Sequence, residues 1–464
     1  MDFREFRRAG HLPTLLCAFL YFTISCMVWM MVGALATSII PDLGELSDSQ
    51  KGLMVAVPVL GGALLRLVLG PLADHIGAKK TALIGLALTL VPLLMGWLWS
   101  NSYMEVLLVG LLLGVAGASF AVALPLASRW YPPQYQGLVL GIAGAGNVGT
   151  ALATFLGPWV ASSWGWHAAF GIAPVPVLAT LALVVFLAKD RPTQPAPKTL
   201  ADYASVLKIA DAGWFCFFYA ITFGGFVGLV SFLGIFFHDQ YALTKVQAGA
   251  FATLCAFTGS MTRPLGGYLS DRFGGIRVLT WLYLGVAATM AGVSALPALG
   301  PCTLLLVTGM TLLGMGNGAV FQLVAQRFPG EIGVITGLVG AAGGLGGFML
   351  PNALGSLRQL TQSYGGGFLA FALVGASGAV ALFFVGRTWE GTLLGKGGVV
   401  VVRPTPGRIA TPRAEDRLVS FARGCRFRSH SSSGAQFVCT AHGDLIAWAQ
   451  IAKDFNQVSP VLAH

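Results

Sequence analysis

The chain is expected to fold as an all-α polytopic membrane protein, with twelve transmembrane helices arranged as two six-helix bundles. Composition, block length and an internal repeat lead there. Of its 464 residues, 55% are hydrophobic, only 10% are charged and 62 are glycine, and the mean hydropathy is +0.75. A water-soluble domain carries about a quarter charged residues, so a soluble fold is excluded, and so is a disordered chain. The apolar residues also come in blocks of about 20 or more, the length an α-helix needs to cross ~30 Å of hydrocarbon. A membrane β-barrel would show short alternating segments instead.

The blocks are marked off by polar or turn-forming joints. Span one, 13–39, follows Arg4, Arg7 and Arg8; it outruns a signal peptide and has no clear cleavage site, so it is read as a retained helix. Pro41 to Gly52 separates it from span two at 53–73, and His75 to Lys80 leads to span three at 81–99. Span four, 104–127, ends before Tyr131 to Gln136, and spans five (137–160) and six (167–188) complete the first half. The longest joint, Lys189 to Ala212, holds Pro192, Pro195 and Pro197 and reads as a linker. Spans seven to twelve follow at 213–237, 248–270, 277–297, 301–325, 332–356 and 367–386. The expected organisation is a bundle over 1–188, a linker over 189–212, a bundle over 213–387 and a basic tail over 388–464. Two cysteines fourteen apart in that tail, Cys425 and Cys439, are a weak metal signal, and the tail is read as solvated. Cys17, Cys26, Cys216, Cys255 and Cys302 lie inside apolar blocks, as small packing residues do.

Basic residues orient the chain. The side of the N-terminus and of every even-to-odd loop holds thirteen of them, including Lys79, Lys80, Arg129, Lys189, Arg272 and Arg327, against Lys51, Lys245 and Arg358 on the other side. Both termini are therefore expected in the cytoplasm, in a multi-pass protein of the plasma (inner) membrane. The net charge of +10 is shared between these loops and the basic tail, and no nucleic-acid partner is expected.

The halves repeat. Gly70-Pro-Leu-Ala-Asp74-His-Ile-Gly77 follows span two, and Gly267-Tyr-Leu-Ser-Asp271-Arg272-Phe-Gly274 follows span eight, with Asp74 and Asp271 separated by 197 residues. Such a parallel repeat of six spans, with this charged turn, resembles the major facilitator superfamily. Asp74, Asp271 and Arg272 would then form a cytoplasmic latch, an aspartate accepting hydrogen bonds from a helix N-terminus or pairing with a base as the halves rock.

Arg66 and Arg263 each precede the repeated Asp by eight residues. Eight helical residues rise about 12 Å, which places both guanidinium groups near mid-membrane. An arginine at that depth costs at least ~2.5–3.5 kcal/mol unless a cavity or counter-charge receives it. No Asp, Glu or His falls at the midpoint of any span. Two uncompensated cations at equivalent depth define a site for an anion. Around them, span five carries Gly141, Gly144 and Asn147, and span eleven carries Gly337 and Gly340; shifting the first by 196 superposes the glycines. Small residues at this spacing let helices approach closely and slide, and Asn147 offers an amide at mid-depth.

These paired glycine runs, the two arginines, Gly117-Ala-Ser-Phe120 and Tyr219-Ala-Ile-Thr-Phe223 resemble the signature of the NarK-type nitrate/nitrite porters, over roughly residues 10–390. The resemblance implies that Arg66 and Arg263 clamp the anion, Asn147 donates to it, Tyr219 bonds nearby and Phe120 and Phe223 line the pocket. A planar guanidinium fork suits a flat, weakly basic anion, and aromatic faces can sandwich one. Nitrate and nitrite are the expected ligands, moved by alternating access of a monomer in the lipid bilayer. Closing an empty site would strip water from both cations, which favours nitrate/nitrite exchange; proton-coupled nitrate uptake is the other mode open to the family. A porter for another small anion, a carboxylate or phosphate ester, also fits the arginines. A proton-driven drug exporter would need a membrane-embedded carboxylate. With no metal cluster, no nucleophile–base pair and no phosphate loop, neither catalysis nor a cofactor is expected.

Overall fold

The computed structural model describes residues 3–132, 135–191, 206, 208–328 and 332–389. The proline-rich part of the linker and the tail beyond 389, with Cys425 and Cys439, lie outside the described residues. Every regular element among the described residues is a helix, and all of them fall within one compact unit, Met1–Val401.

Eleven helices are long and apolar enough to cross a membrane: Leu12–Asp42, Asp48–His75, Ala78–Leu98, Tyr103–Ser128, Leu138–Trp164, Trp166–Leu187, Ala210–Tyr241, Gly275–Ser294, Leu299–Arg327, Val334–Thr361 and Gly365–Trp389. The remaining span, eighth in order, is divided into Lys245–Met261 and Arg263–Phe273. The division has a local cause. Pro264 has no N–H to offer the Ser260 carbonyl, so the helix turns at Thr262 and restarts at Arg263.

Other spans are interrupted too. Span four runs as Tyr103–Gly117 and Phe120–Ser128, and span five passes through a 3₁₀ turn at Gly146–Val148 before Gly149–Trp164. The apolar blocks do not mark these breaks, because a block reports the length of a span and not its hydrogen-bond register. The starts are better marked. Ser47, Ser102 and Thr244 cap spans two, four and eight with complete capping boxes through Gln50, Glu105 and Gln247.

Helices meet where side chains are smallest. Spans two and four cross with Gly61 and Gly114 face to face; a Cβ at Gly114 would run into the Gly61–Gly62 backbone. Backbone cannot yield as a flexible side chain can. Gly114→Val is therefore expected to cost on the order of 3 kcal/mol or more, read as a large fall in melting temperature of the detergent-purified protein; a variant that melts like the parent would contradict this packing.

The two halves touch along spans two and eleven and are tied by polar groups at the face opposite the N-terminus. There Arg358 Nε lies 3.2 Å from Asp48, Lys51 Nζ lies 4.0 Å from Asp239, and Arg358 also reaches Asp239 at 3.7 Å. Ser49 and Ser356 hydroxyls are 3.3 Å apart, and the Ser49 N–H donates to Gln359 Oε1 at 3.2 Å. On the N-terminal face, among the described residues, the ion pairs stay within a half: Arg129 with Asp74, and Arg327 with Asp211 at 2.7 Å.

Candidate functional site

The helix interruptions converge on one buried site. Arg66 comes from the middle of span two and is 1% exposed. Its Nε donates to the Gly117 carbonyl at 3.1 Å, and its Nη1 donates to the Gly340 carbonyl at 2.6 Å. The first bond follows from the break in span four. The Ala121 N–H turns to the Ala118 carbonyl at 3.0 Å, and the Gly117 oxygen looks outward to the guanidinium. The second bond crosses from the first half to span eleven. Nη2 is buried without a hydrogen-bond partner.

Arg263 begins the second segment of span eight and donates from Nη2 to the Tyr219 hydroxyl at 3.4 Å. Its Nη1 is likewise buried with no partner. Each cation thus keeps one buried nitrogen unpartnered, an arrangement that a further acceptor would complete.

Aromatic rings enclose both cations. Arg66 Cζ lies 5.4 Å from the Trp29 ring, 5.6 Å from Phe120 and 4.9 Å from Phe223. Arg263 Cζ lies 5.2 Å from Phe120 and 5.6 Å from Phe321. Phe120 therefore touches both arginines, which places the two guanidinium groups around one ring. Tyr219 stacks on Phe223 at 5.1 Å and meets Phe321 edge-on at 4.9 Å. Cation–π contacts are worth about 2 kcal/mol or more when desolvated, and they leave the charge itself uncancelled.

The glycines sit crosswise. A Cβ at Gly340, in the second half, would lie 3.7 Å from Arg66 Nη1, and one at Gly144, in the first half, would lie 3.7 Å from Arg263 Nε. Each half presents its glycine to the other half's arginine. Gly141 faces open space, and Gly337 is buried in span eleven.

Asn147 lies in the 3₁₀ turn, 1% exposed, with its Oδ1 3.7 Å from the Cys26 thiol and its carbonyl accepting from Thr150 and, across the halves, from Ser260 at 3.2 Å. Asp74 and Asp271 stand away from the site: Asp74 pairs with Arg129, and Asp271 accepts from Gln322 at 3.0 Å. Arg272 packs over Phe273 at 5.4 Å.

Sequence reasoning missed Trp29, Phe321 and the Gly117 and Gly340 carbonyls. One of 30 Phe and one of 11 Trp carry no mark of their own. Trp29 is set by fit: its indole N–H donates to the Pro58 carbonyl at 2.7 Å, and a Cβ at Gly62 would touch its ring at 3.0 Å.

Twelve spans in two pseudo-equivalent halves, with a buried cationic site at their junction, define a membrane carrier. The comparisons agree with that class. The family model for the Major Facilitator Superfamily matches residues 17–351. A nitrite extrusion protein of Bacillus subtilis is 32% identical over 361 residues, covering 77% of this chain and 90% of its own. A probable nitrate/nitrite antiporter, NarK1 of Thermus thermophilus, is 33% identical over 389 residues, with 75% and 85% covered. A probable nitrate transporter, NarT of Staphylococcus carnosus, is 33% identical over 365 residues, with 78% and 92% covered. Among solved structures, a bacterial homologue of the lysosomal transporter Spinster shares the fold at TM-score 0.60 and 17% identity, over 81% of this chain and 96% of that one. The chain belongs to the Major Facilitator Superfamily, in the family that these nitrate and nitrite porters form.

Proposed function

We propose that this protein exchanges nitrate for nitrite across the inner membrane by alternating access, with both termini in the cytoplasm and one anion site per monomer. The observation that carries the reading is the pair of arginines around Phe120, each with one buried nitrogen unpartnered. A flat anion between them would accept from both reserved nitrogens and lie against aromatic faces.

Arg66, Arg263 and Tyr219 supply the donors, Phe120, Phe223 and Phe321 the walls, and Asn147 an amide at the break of span five. Because Arg66 belongs to one half and Arg263 to the other, a shared anion draws the halves together at this level. Gly144 and Gly340 leave the guanidinium groups room to move as the halves rock. Asp74 and Asp271 hold the cytoplasmic ends of their own halves together during that motion, Asp74 through Arg129 and Asp271 through Gln322. The anion passes through unchanged, and no catalytic step is involved.

Obligatory exchange follows from electrostatics. Occluding the empty site would remove water from two unpaired cations, which is costly, whereas a bound anion offsets part of that charge. In proteoliposomes, nitrate uptake is expected with nitrite inside and absent from vesicles with no internal anion, even under an imposed pH gradient. Uptake driven by the pH gradient alone would overturn exchange and favour proton symport. Competition by formate or phosphate as strong as by nitrite would favour a broader anion porter.

A further inference from the structure

Asn317 in span ten is a buried polar residue to which the anion site, as described, gives no task. It is 1% exposed, and its Oδ1 is buried with no hydrogen-bond partner. Its direction follows from the helix period of about 100° per residue. Gly316 turns to span seven, where a Cβ would meet Thr222 at 2.6 Å; Gly318 turns to span eight, where one would meet the Arg263 carbonyl and, at 2.7 Å, the Gly267 nitrogen. Asn317 lies midway between those directions. Phe321, one turn further, shares its face and touches both Arg263 and Tyr219. Asn317 therefore stands on the wall of the same site, one turn towards the face opposite the N-terminus.

Two complementary orphans belong to this wall, not bonded to each other. Arg263 Nη1 is a donor and Asn317 Oδ1 an acceptor, both buried and both without partners. A bare anion satisfies the first and leaves the second unmet. We propose that Asn317 is a positioning residue for Arg263. With no anion bound, a shift of the two side chains within the site brings Oδ1 onto Nη1 and holds the guanidinium there. When the anion takes that N–H, a half-turn of the carboxamide presents Nδ2 in place of Oδ1. A carboxamide suits both states because it is neutral and carries acceptor and donors on one short stem. The inference rests on the reading of the arginine pair as an anion site.

The test compares Asn317→Asp, Asn317→Leu and Asn317→Ser in the full-length purified protein, by melting temperature without anion and by nitrate binding. The aspartate is expected to pair with Arg263 as a built-in anion. It should leave the anion-free melting temperature at or above that of the parent while weakening nitrate by about 100-fold or more. The leucine should weaken nitrate by about tenfold, and the serine, which keeps an acceptor and a donor, should stay within about threefold. An aspartate variant that melts below the leucine variant, or that binds nitrate within about threefold of the parent, would overturn the proposal, since either places the side chain away from Arg263. If the parent itself binds neither nitrate nor nitrite, the substrate reading fails, while the anion-free melting comparison still decides the role of Asn317.

Discussion

Arg66→Lys and Arg263→Lys are each expected to reduce nitrate counterflow into proteoliposomes by about 100-fold or more, equivalent to roughly 2.7 kcal/mol, while the protein still inserts and purifies. The charge survives the change, so the loss isolates the planar fork. Arg66 spends Nε on the Gly117 carbonyl and Nη1 on the Gly340 carbonyl and keeps Nη2 in reserve. A lysine ammonium has its donors on one atom at the end of a flexible stem. It can satisfy the carbonyls or face the anion, and it cannot do both in those directions. Arg263 loses the same division between Tyr219 and its reserved Nη1. Hydrogen bonds to charged groups are worth about 1.5–3 kcal/mol each, so one lost donor accounts for the effect. Normal counterflow in either variant would remove that arginine from the site.

Oxidising the double variant Ser49→Cys/Ser356→Cys is expected to stop transport, and reduction to restore it. The two hydroxyls are 3.3 Å apart across the halves, so cysteines there need only a small adjustment to reach disulfide geometry. The bond would fasten the face opposite the N-terminus in its closed form. That face is held here by Arg358 with Asp48 and by Lys51 with Asp239. Each pair is partly exposed and worth at most about 1 kcal/mol, weak enough to open in every cycle. A covalent link does not open. Full exchange by the oxidised protein, with the cross-link verified, would show that this face need not part; each single cysteine variant serves as the control.

The sequence reading of Lys51 and Arg358 went as far as their side of the membrane. Loop charge is a one-dimensional property, and it carries no record that Lys51 of span two meets Asp239 of span seven. The helix breaks were hidden for a related reason. Pro264 beside Arg263 and the crowded glycines of span five were visible as residues, but the Gly117 carbonyl becomes an acceptor for Arg66 only once span four turns at Ala118.

What the sequence by itself determined was the membrane class, the twelve spans and the repeat; it singled out the two arginines by depth, and a family likeness added Asn147, Tyr219, Phe120 and Phe223 as candidates. Span length and the cost of a buried cation are properties of a segment, and they can be read along a single chain. Only the tertiary structure decided that Phe120 touches both guanidinium groups, that Phe321 and Trp29 complete the enclosure, and that each half's glycine lies against the other half's arginine. Those facts depend on segments up to 274 residues apart, as with Arg66 and Gly340, and packing between such segments is set by shape in three dimensions.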